Sequence, residues 1–236
     1  MNLILIDDKN LFETNKVKLT GRHAIHVIEV LKPEIGKNIK IGMINGNIGQ
    51  GKVLSITDEC IELETKELTT PPPSPLPITL IVAMQRPKTM RKILQSATAM
   101  GVKKIIILET WKVEKSYWTS PLLLQENLKE QLILGLEQAG DTIFPEIIIK
   151  KRFKPFVEDE LPKILQGSTG FIAHPHCDTE CPHQVQGKIT LTIGPEGGFT
   201  DYEVEKMTEA GMQAISMGQR IFRSEFAVTA LLAKLF

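Results

Sequence analysis

Short alternating segments before residue 70, strand and helix patterns in alternation after residue 78, and a proline-rich break between them predict a small β-barrel followed by an α/β domain. In the first part, residues 3–6, 39–44, 51–56 and 60–65 alternate apolar and polar side chains, the period of a strand with one buried face. Asn45-Gly46-Asn47 supplies residues that tolerate positive φ and reads as a hairpin turn. Residues 23–31 carry Ile25, Val27, Ile28, Val30 and Leu31, which fits a short helix. The run from Gly46 to Lys52 is rich in glycine and ends in lysine. It lacks a following Ser or Thr and runs into a strand, so it reads as a hairpin and not as a phosphate loop. Thr69-Thr70-Pro71-Pro72-Pro73-Ser74-Pro75 cannot continue a helix or a central strand. It divides the chain into a barrel over 1–70, a linker over 71–77 and an α/β domain over 78–236.

The second part opens with a near-continuous apolar run over 78–84, as expected of a parallel strand covered on both faces. A helix over 89–100 follows, closed by Gly101, and then a strand over 103–108. Arg86, Lys88, Arg91 and Lys92 cluster where the first strand hands over to its helix, the edge at which α/β sheets bind ligands. They read either as a solvated face or as phosphate contacts. Further elements are a helix over 122–139, a strand over 147–149, a helix over 156–165 and a strand over 170–173. The basic run Lys150-Lys151-Arg152-Phe153-Lys154 reads first as a charged loop and second as an RNA contact. His174, His176, Cys177, Cys181 and His183 fall within ten residues, but at no standard finger or ribbon spacing, so the expectation is a loop without metal.

The strongest motif lies at the C-terminus. Ile189, Leu191 and Ile193 mark a strand that ends at Gly194, and Pro195-Glu196-Gly197-Gly198 makes a tight loop after it. Thr200 and Glu203 form a capping box for the next helix. Gly211 ends that helix, residues 214–217 are a second strand, and a loop over 218–223 leads to a last helix with Ser224 as N-cap. The two strand-loop-helix turns are about 20 residues apart, the spacing of neighbouring α/β units. The last helix, over 225–235, is apolar almost all round and calls for burial in a core or against a second subunit.

The 236 residues carry 28 cations and 28 anions, so any nucleic-acid surface must come from local clustering. Three cysteines give no disulfide framework. The opening MNLILIDDKN has acids where a signal peptide would place its basic region, and no run approaches membrane-spanning length, so a soluble cytoplasmic protein is expected.

IGPEGGFTDYE followed by MGQRIFRSEFA resembles the paired signature of the RsmE-type ribosomal RNA uridine-N3 methyltransferases of the SPOUT superfamily. The resemblance implies an α/β methyltransferase domain with a C-terminal trefoil knot, preceded by a PUA-like β-barrel that holds RNA, and a homodimer formed through the C-terminal helices. It implies S-adenosylmethionine as cofactor, held by His174, by Ile193, Gly194, Pro195, Glu196, Gly197 and Gly198, and by Met217, Gly218, Ile221, Phe222 and Arg223. The substrate would be 16S rRNA in the small ribosomal subunit, contacted through Arg22, His26, Lys32, Arg86, Lys88 and Arg91. Lys32 stands near where an arginine is common, and Ser96, Ala99, Asp141 and Phe226 also depart from the family pattern.

Methylating a uridine ring nitrogen requires loss of its proton and stabilisation of the resulting anion. Arg220 and Arg223 are the candidates for the anion and a nearby phosphate, because guanidinium stays charged and directional. Glu196 and Glu225 are the candidate carboxylates; an acid at Glu225 is also favoured simply by the helix dipole. A second reading is an RNA-binding protein of the same fold with a different target or reduced catalysis. A dinucleotide-binding enzyme is disfavoured, since no G-x-G-x-x-G follows a strand.

Overall fold

The computed structural model describes residues 3–13 and 15–236, with the backbone alone at positions 22, 26, 30 and 31. Two compact units form, Met1–Ser74 with Ile133–Phe144, and Pro75–Leu132 with Pro145–Phe236. Residues 133–144 thus group with the first unit, although by sequence they continue a helix of the second part.

The first unit is a curled six-stranded sheet. Its strands are β1 (Ile4–Ile6), β2 (Leu11–Glu13), β3 (Lys16–Thr20), β4 (Asn38–Met43), β5 (Ile48–Ile56) and β6 (Cys60–Thr65), in the spatial order β1-β4-β5-β6-β3-β2. Only β1 and β4 run parallel; the other pairs are antiparallel. Alternation places Val17, Leu19, Ile39, Ile41, Val53, Ile61 and Leu63 in one core. Periodicity finds four of these strands and misses β2 and β3. β2 has no buried side chain and so leaves no pattern, and β3 is a five-residue alternation bracketed by charge. The segment expected as one helix is α1 (Gly21–His26) continued by a π-turn, Val27–Leu31. Asn45, at φ 59°, makes the expected hairpin, with the Met43 amide donating to the Asn47 carbonyl at 3.1 Å.

Residues 137–144 are tied to this sheet by polar side chains. The Glu137 carboxylate, 1 % exposed, accepts the Leu5 amide at 3.3 Å and lies 3.4 Å from His23 Nε2. The Asn45 amide donates to the Thr142 carbonyl, and Asn45 Oδ1 accepts the Phe144 amide, both at 2.8 Å. Asp141 is 3 % exposed and its carboxylate accepts the Ile143 amide at 2.9 Å. Its carboxylate thus serves the segment's own turn.

The second unit is a doubly covered parallel sheet. In chain order it holds β7 (Ile78–Ala83), α2 (Pro87–Ala99), β8 (Lys104–Leu108), α3 (Gln125–Ala139, whose later residues group with the first unit), β9 (Glu146–Lys150), an irregular helix α4 over 153–164, β10 (Ser168–Ala173), β11 (Lys188–Ile193), α5 (Asp201–Glu209), β12 (Met212–Ile215) and α6 (Ser224–Leu235). The order is β12-β10-β11-β7-β8-β9, with every pair parallel. Central strands are buried on both faces, which is why β11 buries Thr190 and Thr192 along with Ile189, Leu191 and Ile193. From β7 the chain lays strands outward through β8 and β9, then returns to place β10 and β11 on the other side. The switch point falls between β7 and β11.

Two helix starts differ from expectation. α2 begins at Pro87, whose missing N–H costs nothing in a first turn, and Arg86 is its N-cap. Arg223 rather than Ser224 is the N-cap of α6, without a side-chain capping bond. The Thr200–Glu203 capping box of α5 forms as expected. No helix among the described residues is long and apolar enough to cross a membrane.

Because Asp141 is buried and bonded, Asp141→Arg is expected to lower unfolding stability by about 3 kcal/mol by burying a misplaced cation and freeing the Ile143 amide. A denaturant midpoint equal to that of the parent would show that the side chain turns outward.

Candidate functional site

A cavity of about 780 Å³ opens at the carboxyl ends of β10, β11 and β12. Its apolar wall comes from Ala173, Ile193 and Ile215, the last residues of the three strands, with Phe199 and Leu231. Two loops close it, 194–198 after β11 and 216–223 after β12. A Cβ on Gly194 would sit 3.1 Å from the Phe199 ring, a tight approach that a side chain could make only if the ring gave way by a few tenths of an ångström, and as glycine the position exposes bare backbone to the cavity. Gly198, at φ 69°, turns the loop with its amide donating to the Pro195 carbonyl at 2.8 Å.

Three side chains brace the first loop and the start of the helix after it. Buried Gln85, just past β7, donates through Nε2 to the Gly194 carbonyl at 2.7 Å and to the Ala83 carbonyl at 3.0 Å. Lys112 Nζ donates to the carbonyls of Gly197 at 3.2 Å and Phe199 at 3.3 Å. Glu203, 2 % exposed, accepts the Thr200 amide and hydroxyl on Oε2 at 2.8 and 2.9 Å, and the Trp111 amide on Oε1 at 2.7 Å. The turn after β8 is thereby fixed to the helix that follows the glycine loop.

Charged groups converge on the same cavity. Arg86, Lys112, Arg220 and Arg223 line it, with Glu196 and Glu225. Thr89 Oγ1 donates to Glu196 Oε1 at 3.3 Å. Glu225 is largely shielded and pairs with Lys92 at 3.5 Å, so its carboxylate anchors the start of α6 to α2. A hydrogen bond with Tyr117, then the Tyr117 and Glu196 charges, hold the Arg86 pKa above its ordinary value. His174 is pushed down by burial and next by His176, whose ring lies edge-on at 5.9 Å, with Lys112 adding to the shift and Asp201 opposing it.

The cavity gathers the predicted cofactor residues His174, Ile193 to Gly198, Met217 and Ile221 to Arg223, and with them Arg220, Glu225 and Arg86. Gly218 belongs to the same loop at φ 87° but is not part of the wall. Lys88 and Arg91 are exposed on α2 outside the lining. Lys32 is exposed in the first unit at φ 43°, and the side chains of Arg22 and His26 lie outside the described residues. Sequence reasoning missed Gln85, Thr89, Lys112, His176 and Ser216. Each lies within about ten residues of a strand's carboxyl end, which is the signal that marks them.

The other clusters are accounted for locally. Lys150 pairs with Glu160 at 2.7 Å, Lys154 lies 3.8 Å from Glu158, and Lys151 sits over the Trp118 ring at 6.0 Å. Among the described residues no three His, Cys, Asp or Glu side chains converge as metal ligands. Cys177 instead donates to the His174 carbonyl at 3.2 Å.

A parallel sheet whose carboxyl edge opens into a glycine-walled cavity defines an α/β domain built to hold a small molecule. The chain belongs to the family of the RNA methyltransferase domain, whose model matches residues 72–235. It is similar to ribosomal RNA small subunit methyltransferase E of Treponema pallidum, at 27 % identity covering 99 % of this chain and 90 % of the relative. The same enzyme of Rickettsia conorii is also 27 % identical, covering 99 % and 94 %. Among solved structures, a methyltransferase of Legionella pneumophila in complex with SAM superposes with a TM-score of 0.78 at 22 % identity, over 98 % of this chain and 96 % of that one. Ribosomal RNA small subunit methyltransferase E of Neisseria gonorrhoeae, bound to S-adenosylmethionine, superposes with a TM-score of 0.74 at 22 % identity, over 99 % and 95 %. These likenesses establish an α/β methyltransferase fold of that type.

Glu203→Ala removes three hydrogen bonds and leaves two backbone amides without their acceptor. It is expected to cost about 3 kcal/mol and to lower the thermal midpoint by several degrees. Asp201→Ala at the exposed neighbouring position serves as the comparison and should change stability by about 0.5 kcal/mol or less.

Proposed function

We propose that this chain uses S-adenosylmethionine to methylate N3 of a uridine in 16S rRNA of the small ribosomal subunit. The observation that carries the reading is the cavity itself, where bare glycine backbone, an apolar wall and the side chains of Glu196, Arg220 and Arg223 meet. The cavity fits the cofactor: Gly194 leaves no Cβ in the way, the wall suits a purine face, and about 780 Å³ lies within the range of small-molecule sites. When bound, S-adenosylmethionine supplies an electrophilic methyl group on sulfur.

The residues of this chain divide the remaining work. Glu196 accepts the N3 proton of uridine, breaking the N–H bond and leaving its electron pair on nitrogen to form the new N–C bond; the methyl's bond to sulfur would break in the same displacement, its electron pair staying on sulfur as S-adenosylhomocysteine leaves. Arg220 and Arg223 stabilise the negative charge that spreads onto the pyrimidine carbonyl oxygens. Glu225, paired with Lys92, keeps the start of α6 in place and is the weaker candidate for the base. Arg86, with Lys88 and Arg91 on the neighbouring helix, holds RNA phosphates.

The barrel over 1–70, joined through 71–77 to the methyltransferase domain over 78–236, is a PUA-like module that holds RNA in this reading, with Arg22, His26 and Lys32 as its contacts. The C-terminal segment is threaded as a trefoil knot. Supporting the threading, the Gln184 and Val185 amides donate to the Lys234 and Leu235 carbonyls, fastening the end of α6 to the strand-10 loop. The protein acts in the cytoplasm as a homodimer through its C-terminal helices, and the apolar Phe226, 59 % exposed on α6, supports that contact. A different RNA target with the same fold remains the second reading, favoured by the changes at Ser96, Ala99 and Phe226.

Purified protein incubated with methyl-labelled S-adenosylmethionine and small subunits lacking uridine-N3 methylation is expected to yield labelled 3-methyluridine on nucleoside analysis. Unlabelled RNA, from protein that binds the cofactor by calorimetry, would overturn the uridine assignment. Glu196→Gln should leave folding and cofactor affinity intact and reduce kcat about 100-fold or more; an unchanged rate removes Glu196 from the chemistry. The depressed His174 pKa keeps its imidazole neutral at pH 7. Cofactor affinity should be level from pH 8 down to about 6.5 and fall below that, as a further cation appears in a cavity that would take a positively charged cofactor. In His174→Gln the acid-side loss should shrink, and a loss identical to the parent's would place the titrating group elsewhere.

A further inference from the structure

Trp111 is the most exposed large apolar side chain among the described residues, at 85 %. An indole normally buries some 150–250 Å² and ranks among the residues most worth burying. Here it stands in water on a turn that is anything but loose. Its own amide is held by the buried Glu203 carboxylate at 2.7 Å. The next residue, Lys112, is fixed by the two glycine-loop carbonyls, and the Val113 amide returns to the Thr110 carbonyl at 3.3 Å. On the other side the Glu109 amide donates to the Lys150 carbonyl at 2.8 Å. The backbone is locked on both flanks and the ring projects from it.

The surroundings state what such a ring would meet. Lys112 lines the cavity with Arg86, Arg220 and Arg223, four cations against the two carboxylates Glu196 and Glu225, of which Glu225 is already taken by Lys92. A polyanion suits that excess of positive charge, and a flat apolar ring on the residue next to Lys112 suits the faces of the bases the polyanion carries. We infer that Trp111 is a stacking platform for an unpaired nucleobase of the RNA substrate, set at the rim of the methyl-transfer cavity by the Glu203 and Lys112 contacts. The inference rests on the RNA-modifying reading above and adds the residue that grips the single strand. Phosphate contacts position RNA; stacking on a rigid aromatic requires that a base be splayed out, which selects a loop or bulge over a duplex.

The chain has two tryptophans, so a Trp118→Phe variant leaves Trp111 as the single indole emitter. Titrating that variant with single-stranded oligouridine is expected to quench its fluorescence to saturation, and double-stranded RNA of equal length to quench it far less. In the otherwise unaltered protein, Trp111→Ala should weaken oligouridine binding and raise KM for unmethylated small subunits about tenfold, with S-adenosylmethionine affinity unchanged. Trp111→Tyr should recover most of the loss, because the platform needs a ring and not an indole N–H. No quenching, or a Trp111→Ala protein that binds oligouridine like its parent, would overturn the platform. Unaltered RNA binding together with a dimer turned to monomer in sedimentation would overturn it in favour of a contact between two copies of this chain. The two readings fail separately. Parent protein that is quenched by oligouridine but methylates no small-subunit RNA sinks the reaction and keeps the platform, whereas a methylating parent with an indifferent Trp111→Ala variant does the reverse.

Discussion

The geometry of the site depends on one buried carboxylate. Glu203 caps the helix that leaves the glycine loop, as a capping-box acid does in any helix, but only one of its oxygens is spent there. The other reaches across to the turn after β8 and accepts the Trp111 amide. A charged acceptor with negligible exposure, satisfied by three donors, is strong because no water competes for it. It converts two loops that would otherwise move independently into one body, with Lys112 closing the ring by binding the glycine loop from the opposite side. A cavity walled by backbone needs this support, since bare glycine has no side chain with which to pack itself.

Most of the parallel sheet was legible in sequence because buried strands leave continuous apolar runs and because Gly101, Gly198 and Gly211 mark real changes of backbone conformation. The strands β2 and β3 were not. A strand is visible in sequence through the contrast between its faces, and β2 has no buried face. The cavity's loops were legible as motifs, while Lys112 and Gln85 were not, because their partners are carbonyl oxygens 85 and 109 residues away in sequence. A main-chain acceptor has no residue identity, so no pairing pattern in the sequence can point to it. The same holds for residues 133–144. Helical periodicity runs straight through Leu132, and contacts such as those of the buried Glu137 and of Asn45 bring the later residues to the curled sheet of the first unit.

Charge reversal at a single position is a weak guide to binding unless burial is known. Asp141 reads from the sequence as an acid placed where a polyanion would want a cation. In the fold its side chain is buried and its carboxylate accepts the Ile143 amide, so it has a structural role in its own turn. The basic run over 150–154 teaches the converse lesson. Lys150 and Lys154 have carboxylates nearby and Lys151 lies over an aromatic ring, so a dense cationic stretch in sequence is partly neutralised by its own helix.

The two candidate carboxylates are separated by the same reasoning. Glu225 sits at the start of α6, where the helix dipole favours an anion, and Lys92 supplies a direct counter-charge, so this carboxylate already has a structural partner. Glu196 is exposed in the loop between β11 and α5 and receives a single long hydrogen bond from the Thr89 hydroxyl. A neutral donor at 3.3 Å holds the carboxylate's direction while leaving its second oxygen available. Arg86, drawn to Glu196 by charge, is engaged by Tyr117 as well, so that cation is shared rather than committed. Of the two acids, Glu196 is oriented without being consumed, which is the condition a general base has to meet before a substrate arrives.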